Sequence, residues 1–159
     1  MSPRQFLATK YLAYEAKDVT VFTITLSTFV REKTRPPDEM FRHMWDQHII
    51  HRIRRRLPLT ARMDHDYVVE LTPPKVVSAD DIACFYGYHG FLAIEQRYAH
   101  RIWTDNGLNK HLAGALVSFR RRGKYRPFCI NSFLIEPVTS ISAWAQYITK
   151  TTRPVLSFA

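Results

Sequence analysis

Four side chains in this sequence have types and spacings suited to phosphoryl chemistry. His89 stands in Gly87-Tyr88-His89-Gly90-Phe91-Leu92. On the two-residue period of a strand, Gly87, His89 and Phe91 share one face. Glu70 lies among Val68, Val69 and Leu71, where a carboxylate is costly unless it is paired or metal-bound. The same alternation puts Val68 and Glu70 on one face, so Glu70 and His89 can meet across adjacent strands. A glutamate oxygen with an imidazole nitrogen suits Mg²⁺ or Mn²⁺, water and phosphate filling the remaining positions. Tyr147 and Lys150 are three residues apart, hence on one helical face. A phenol is a poor nucleophile unless a cation or metal assists it, and a lysine one turn away favours phenolate or neutralises a phosphate. Each group also has a plainer reading: a core or edge histidine, an exposed acid near an arginine, a core tyrosine with a snorkelling lysine. Gly90 marks a place where something approaches the backbone closely.

The elements that must position these groups follow from the patterning. Residues 1–18 are mixed and read as a strand or a late-packing arm. Residues 19–26 alternate β-branched and apolar side chains, a half-buried strand. Pro36 and Pro37, followed by Asp38 and Glu39, start a helix with acids at the positive end of its dipole. Phe41, Met44, Trp45, Ile49, Ile53 and Leu57 recur at three- and four-residue steps, an amphipathic helix of about five turns that ends near Pro58. Residues 66–72 form a second strand, with Pro73 and Pro74 opening a loop through Asp81. Residues 84–94 form a third, 109–119 a short helix, and 128–137 a fourth strand. Ser140 or Ser142 caps a last helix through about Lys150. Strands and helices are interspersed without regular alternation, which predicts an α+β fold: an antiparallel sheet flanked by helices, a ferredoxin-type split β-α-β being one such topology.

The chain has 159 residues, 46% hydrophobic and 23% charged, enough for a single globular domain over 1–159 and against disorder. No apolar run is long enough to span a membrane, and no signal-peptide core follows Met1, so a cytoplasmic protein is expected. Cys84 and Cys129 are too few for a disulfide scaffold. The 23 Lys and Arg residues against 14 acids give +9, an excess that favours a polyanionic partner, most often nucleic acid. The basic clusters Arg52, Arg55 and Arg56, then Arg120, Arg121, Arg122, Lys124 and Arg126, are the candidate contacts. His43, His48 and His51 lack the further ligand a tetrahedral metal site needs.

Taken in order, the strand Phe22-Thr23-Ile24-Thr25-Leu26, the strand with its acid, Tyr88-His89-Gly90-Phe91-Leu92 and Tyr147-x-x-Lys150 resemble the HUH endonucleases. Among these the chain looks like the rolling-circle replication initiators, the Rep proteins, over residues 19 to 151. The resemblance implies a sheet flanked by helices and a Mn²⁺- or Mg²⁺-dependent nicking and rejoining of single-stranded or hairpin DNA. It makes Tyr147 the nucleophile of a 5′-phosphotyrosine link, Lys150 its accompanying lysine, His89 the second metal-binding histidine and Glu70 the extra acidic ligand. Replication proteins are the implied further partners. Gly87 occupies the position of the first motif histidine, so either the metal is held by fewer protein groups, or a nearby group such as Tyr86, His65 or His100 substitutes, or catalysis has been lost. No phosphate-binding loop signals a helicase domain. Three rivals remain: a degenerate domain that binds DNA without cleavage, a small single-tyrosine transposase or relaxase, and an RNA-binding α+β domain.

Overall fold

In the computed structural model, residues 1–15, 17–30, 36–78, 81–103, 128–150 and 153–156 are described. The first element departs from the sequence expectation. Residues 3–12 are neither strand nor arm but helix α1 (Pro3–Leu12). A capping box starts it: the Gln5 N–H donates to Ser2 Oγ at 3.2 Å, and the Ser2 N–H donates to Gln5 Oε1 at 2.8 Å. Pro3 supplies a preset φ in the first turn. The helix signal lay in these local pairs and not in apolar periodicity.

Strand β1 (Val19–Val30) follows. Helix α2 runs through three consecutive segments, Asp38–His43, a π-helical stretch Met44–Ile50, and His51–Arg54. Strands β2 (Met63–Ser78) and β3 (Asp81–Glu95) come next, then a 3₁₀ turn (Gln96–Tyr98) and the short α3 (Ala99–Ile102). Strand β4 (Phe128–Pro137), helix α4 (Ile141–Lys150) and a two-residue β5 (Val155–Leu156) complete the described chain. Pro73 and Pro74 do not open a loop. Strand β2 continues through them, with its register on β3 broken between Thr72 and Lys75. A proline is tolerated there because an irregularity removes the need for its missing N–H. The helix expected at 109–119 and the basic residues Arg120, Arg121, Arg122, Lys124 and Arg126 lie outside the described residues.

The five strands form an antiparallel sheet in the order β4-β1-β3-β2-β5. With β3 inserted between β1 and β2, the β1-α2-β2 segment is a split β-α-β unit, and the fold class is α+β, as the sequence predicts. Alternation sorts each strand's side chains onto two faces. Phe22, Ile24, Leu26, Tyr88 and Leu92 pack against Phe41, Trp45, Ile49 and Ile53 of α2. On the opposite face Val21, Val68, Phe91 and Ala93 pack against Leu7, Ala8 and Tyr11 of α1 and Ala145 and Ile148 of α4. His89 and Glu70, in step with Phe91 and Val68, therefore face the α1–α4 layer. The close approach expected at Gly90 is made by Trp45: a Cβ at Gly90 would stand 2.4 Å from Trp45 Cη2. The Trp45 ring is stacked with Tyr67 at 4.7 Å and donates its indole N–H to His65 Nδ1 at 3.1 Å. Among the described residues no helix is long and apolar enough to cross a membrane.

Two half-buried histidines are expected to make the fold acid-sensitive. Burial, with the charges of His43 and Arg52 behind it, pushes His48 down from the ordinary 6.5 to about 4. Burial also lowers His65, outweighing the neighbouring Asp46, Asp64 and Asp66. A base whose folded pKa is depressed stabilises the fold above its unfolded pKa and loses that contribution as pH falls through the folded one. Unfolding midpoints in urea are expected to be flat at neutral pH and to decline steadily from 6.5 towards 4. A flat profile across that interval would mean that neither imidazole is held neutral.

Candidate functional site

The strand register brings the central pair together. His89 sits opposite Val68 and Thr25, and Glu70 sits opposite Gly87, so His89 and Glu70 are diagonal neighbours on one face. His89 Nε2 lies 3.2 Å from Glu70 Oε2. The meeting expected from the sequence is made. Glu70 is buried, its side chain 6% exposed, and such a carboxylate requires a counter-charge. That charge comes from a residue the sequence did not single out. Arg4 of α1 places Nη1 at 2.7 Å from Glu70 Oε1 and donates Nη2–H to the Arg153 carbonyl at 2.7 Å. The Arg153 guanidinium stands 4.0 Å from Oε2. Burial alone raises the Glu70 carboxyl, but the hydrogen bonds and charges of His89 and Arg4 outweigh it and hold the group down to about 2. The only sequence-level signal for Arg4 was indirect: a lone acid in an apolar strand demands some cation, without saying which.

His89 and Tyr147 line the same open groove, about 490 Å³ in volume, whose walls include Thr23, Thr25, Leu134 and Trp144. Helix α4 presents the tyrosine. Its start is fixed by the Ala143 N–H donating to Ser140 Oγ at 3.3 Å, one of the two caps expected, and by Ala145 and Ile148 buried against the sheet. Tyr147 falls on the outward side, 57% exposed, its ring stacked on Trp144 at 5.1 Å and 15°. Lys150 ends the same helix and is exposed. The arrangement offers an imidazole held by a carboxylate, threonine hydroxyls and an accessible phenol on one concave surface.

Other expected residues are not brought there. Arg52 lies on α2, with Arg55 at its C-cap and Arg56 in the turn after it. Helix α2 covers the opposite face of the sheet, so these three do not line the groove. Arg54 beside them donates to the carbonyls of Ala61 at 2.6 Å and Leu59 at 2.8 Å, tying the loop after the helix. The three groups that could replace the missing histidine are elsewhere. Tyr86 is buried against Phe41 on the α2 face, His65 is bound to Trp45, and His100 is exposed on α3.

The residues at His89 do not fit a divalent cation. Both Glu70 oxygens are engaged, one by the Arg4 guanidinium, so an ion there would face a fixed positive charge. Gly87 supplies no side-chain donor. Among the described residues no group of three or more His, Cys, Asp and Glu side chains is placed to hold a metal.

No protein-family model matches this chain, and no curated protein matches it. Among solved structures it is similar to an amidase (hydantoinase/carbamoylase family) from Burkholderia phymatum, at 10% identity and a TM-score of 0.37, over 77% of this chain. The chain spans 28% of the length of that structure. A likeness at that level carries no argument about this protein's activity.

Proposed function

We propose that this domain binds unpaired DNA along the His89 groove and joins it covalently to Tyr147. The observation that carries the proposal is that His89 and Tyr147, far apart in sequence, line one groove, with Tyr147 accessible. The +9 charge of the chain supports a polyanionic partner. In the proposed step the Tyr147 oxygen forms a bond to phosphorus and the bond to the 3′-oxygen breaks. The phenol proton passes to solvent, the 3′-oxygen leaves as a hydroxyl, and a 5′-phosphotyrosine remains. Lys150, one turn beyond Tyr147, would offset developing negative charge. The phosphodiester energy is conserved in the link, so a 3′-hydroxyl can reverse the step and rejoin the strand, the transfer that rolling-circle initiation requires.

A second reading, DNA binding without cleavage, is favoured by Gly87 and by the guanidinium on Glu70. One experiment separates the two. The protein is mixed with end-labelled single-stranded oligonucleotides containing hairpins, with Mn²⁺, Mg²⁺ or a chelator, beside Tyr147→Phe. The proposal expects a denaturant-stable shifted band that the variant lacks entirely. Retention of DNA by both proteins with no band in either would assign the domain to binding alone. Preference for RNA, with indifference to Tyr147→Phe, would remove both readings.

A further inference from the structure

Resting on the reading that this groove takes unpaired DNA, we infer that Arg4 and Glu70 position His89 to meet a backbone phosphate directly, with no divalent cation between them. Both arms of the Arg4 fork are committed, one to Glu70 Oε1 and one to the Arg153 carbonyl, each at 2.7 Å. A guanidinium held at two points is rigid in a way an ammonium is not. It fixes the carboxylate, and the carboxylate in turn holds His89 Nε2 at 3.2 Å. A phosphate oxygen only accepts, so the contact proposed is an Nδ1–H donating to it while the Nε2–H donates to Glu70 Oε2. Thr23 and Thr25 line the same groove and bring hydroxyls to it.

Gly87 stands beside the nitrogen that Glu70 holds. A Cβ there would lie 3.5 Å from His89 Nε2, an ordinary contact. Packing against the imidazole therefore does not require glycine at this position, and the space a ligand would enter is the groove that His89 lines with Thr23 and Thr25. Arg4 and Glu70 are thus positioning residues, acting on the phosphate through His89. The ligand class is a phosphodiester of single-stranded nucleic acid.

The test is nitrogen-detected NMR of the imidazoles in the full chain, with oligothymidylate, inorganic phosphate and Mn²⁺ added separately. In the presence of chelator, oligothymidylate is expected to shift His89 Nδ1 while the exposed His100 stays in place. Inorganic phosphate is expected to shift His89 far less, and an equal response would overturn the assignment to a nucleic-acid strand. Mn²⁺ alone is expected to broaden His89 no more than His100. Selective broadening of His89 would overturn the inference, and the covalent link to Tyr147 would stand or fall separately by the adduct experiment. Arg4→Lys keeps the charge and loses the fork. It is expected to change the His89 Nε2 signal and weaken oligothymidylate binding about tenfold, the size of one lost charge-assisted hydrogen bond, with the far-ultraviolet circular dichroism unchanged. An unaltered His89 signal in Arg4→Lys would make Arg4 a purely structural residue. If oligothymidylate moves neither His89 nor Tyr147, the proposed function falls together with the inference.

Discussion

Arg4→Ala is expected to lower the unfolding free energy by about 3–5 kcal/mol, the usual cost of orphaning one member of a buried ion pair. The side chains of Arg4 and Glu70 are 9% and 6% exposed, so water cannot replace the guanidinium without opening the α1 layer. His89 and the more distant Arg153 remain near the carboxylate and keep the loss from being larger. Urea titration at neutral pH measures it, and a loss below about 1 kcal/mol, the range of exposed pairs, would refute the assignment of Arg4 as the principal counter-charge. A double variant, Arg4→Met with Glu70→Leu, should recover most of the deficit because no charge is left buried. The pH dependence gives an independent check. Glu70 has its folded pKa depressed from 4.5 to about 2, so its contribution is present above 4.5 and is lost as pH falls through 2. The stability difference between wild type and Arg4→Ala should therefore shrink across that window, once the carboxyl is protonated in both.

Gly90→Ala is expected to cost about 3 kcal/mol, the upper part of the range for overpacking a filled core. The added Cβ would stand 2.4 Å from Trp45 Cη2 and 2.7 Å from the Asp66 carbonyl oxygen. Neither neighbour yields easily. Trp45 is fully buried and stacked with Tyr67 and Tyr88, and the Asp66 carbonyl belongs to the sheet backbone. Gly87→Ala, three residues away on the other face, supplies the contrast. Its Cβ meets nothing nearer than 3.5 Å, and the change should stay within about 1 kcal/mol, some of it favourable through the stiffer unfolded chain. Thermal unfolding of the two variants side by side decides the matter, and equal midpoints would contradict the packing described for Trp45.

The features legible in the sequence were those that repeat with a period. Residues 19–26 and 84–94 announced strands because their side chains alternate, and both strands extend beyond those bounds in the fold. The fourth strand was read at its observed limits. The same period placed Glu70 and His89 on one face, and strand adjacency did the rest. The features that escaped were non-periodic. Helix α1 is announced by a two-residue capping exchange, and Pro73 and Pro74 resemble a loop unless the register break on β3 is known. Arg4 escaped for a further reason. Its partner lies 66 positions along the chain, and Arg153, whose carbonyl it also binds, lies 149 positions away. No local pattern encodes such a meeting. The side of the sheet on which the basic residues of α2 stand was hidden for the opposite reason: composition says that arginines cluster, and only the layer order says which face they occupy.

The clasp at Glu70 also has a temporal side. Val155 pairs with Glu70 and Leu156 with Val69, and the Leu71 N–H donates to the Pro154 carbonyl at 2.8 Å. The strand carrying the buried acid is thus closed by the segment after α4, while Arg4 reaches it from near the chain's start. A nascent polypeptide can pair β2 with β3 early, since their hairpin is local in sequence. Arg4 is already made when β2 emerges, but the surroundings of His89 cannot be finished until residues 153–156 arrive, and contacts of such separation form slowly. Synthesis therefore yields the β2–β3 hairpin before the finished groove, so chains that stop short of residue 153 would carry that hairpin without the Arg153 side of the clasp.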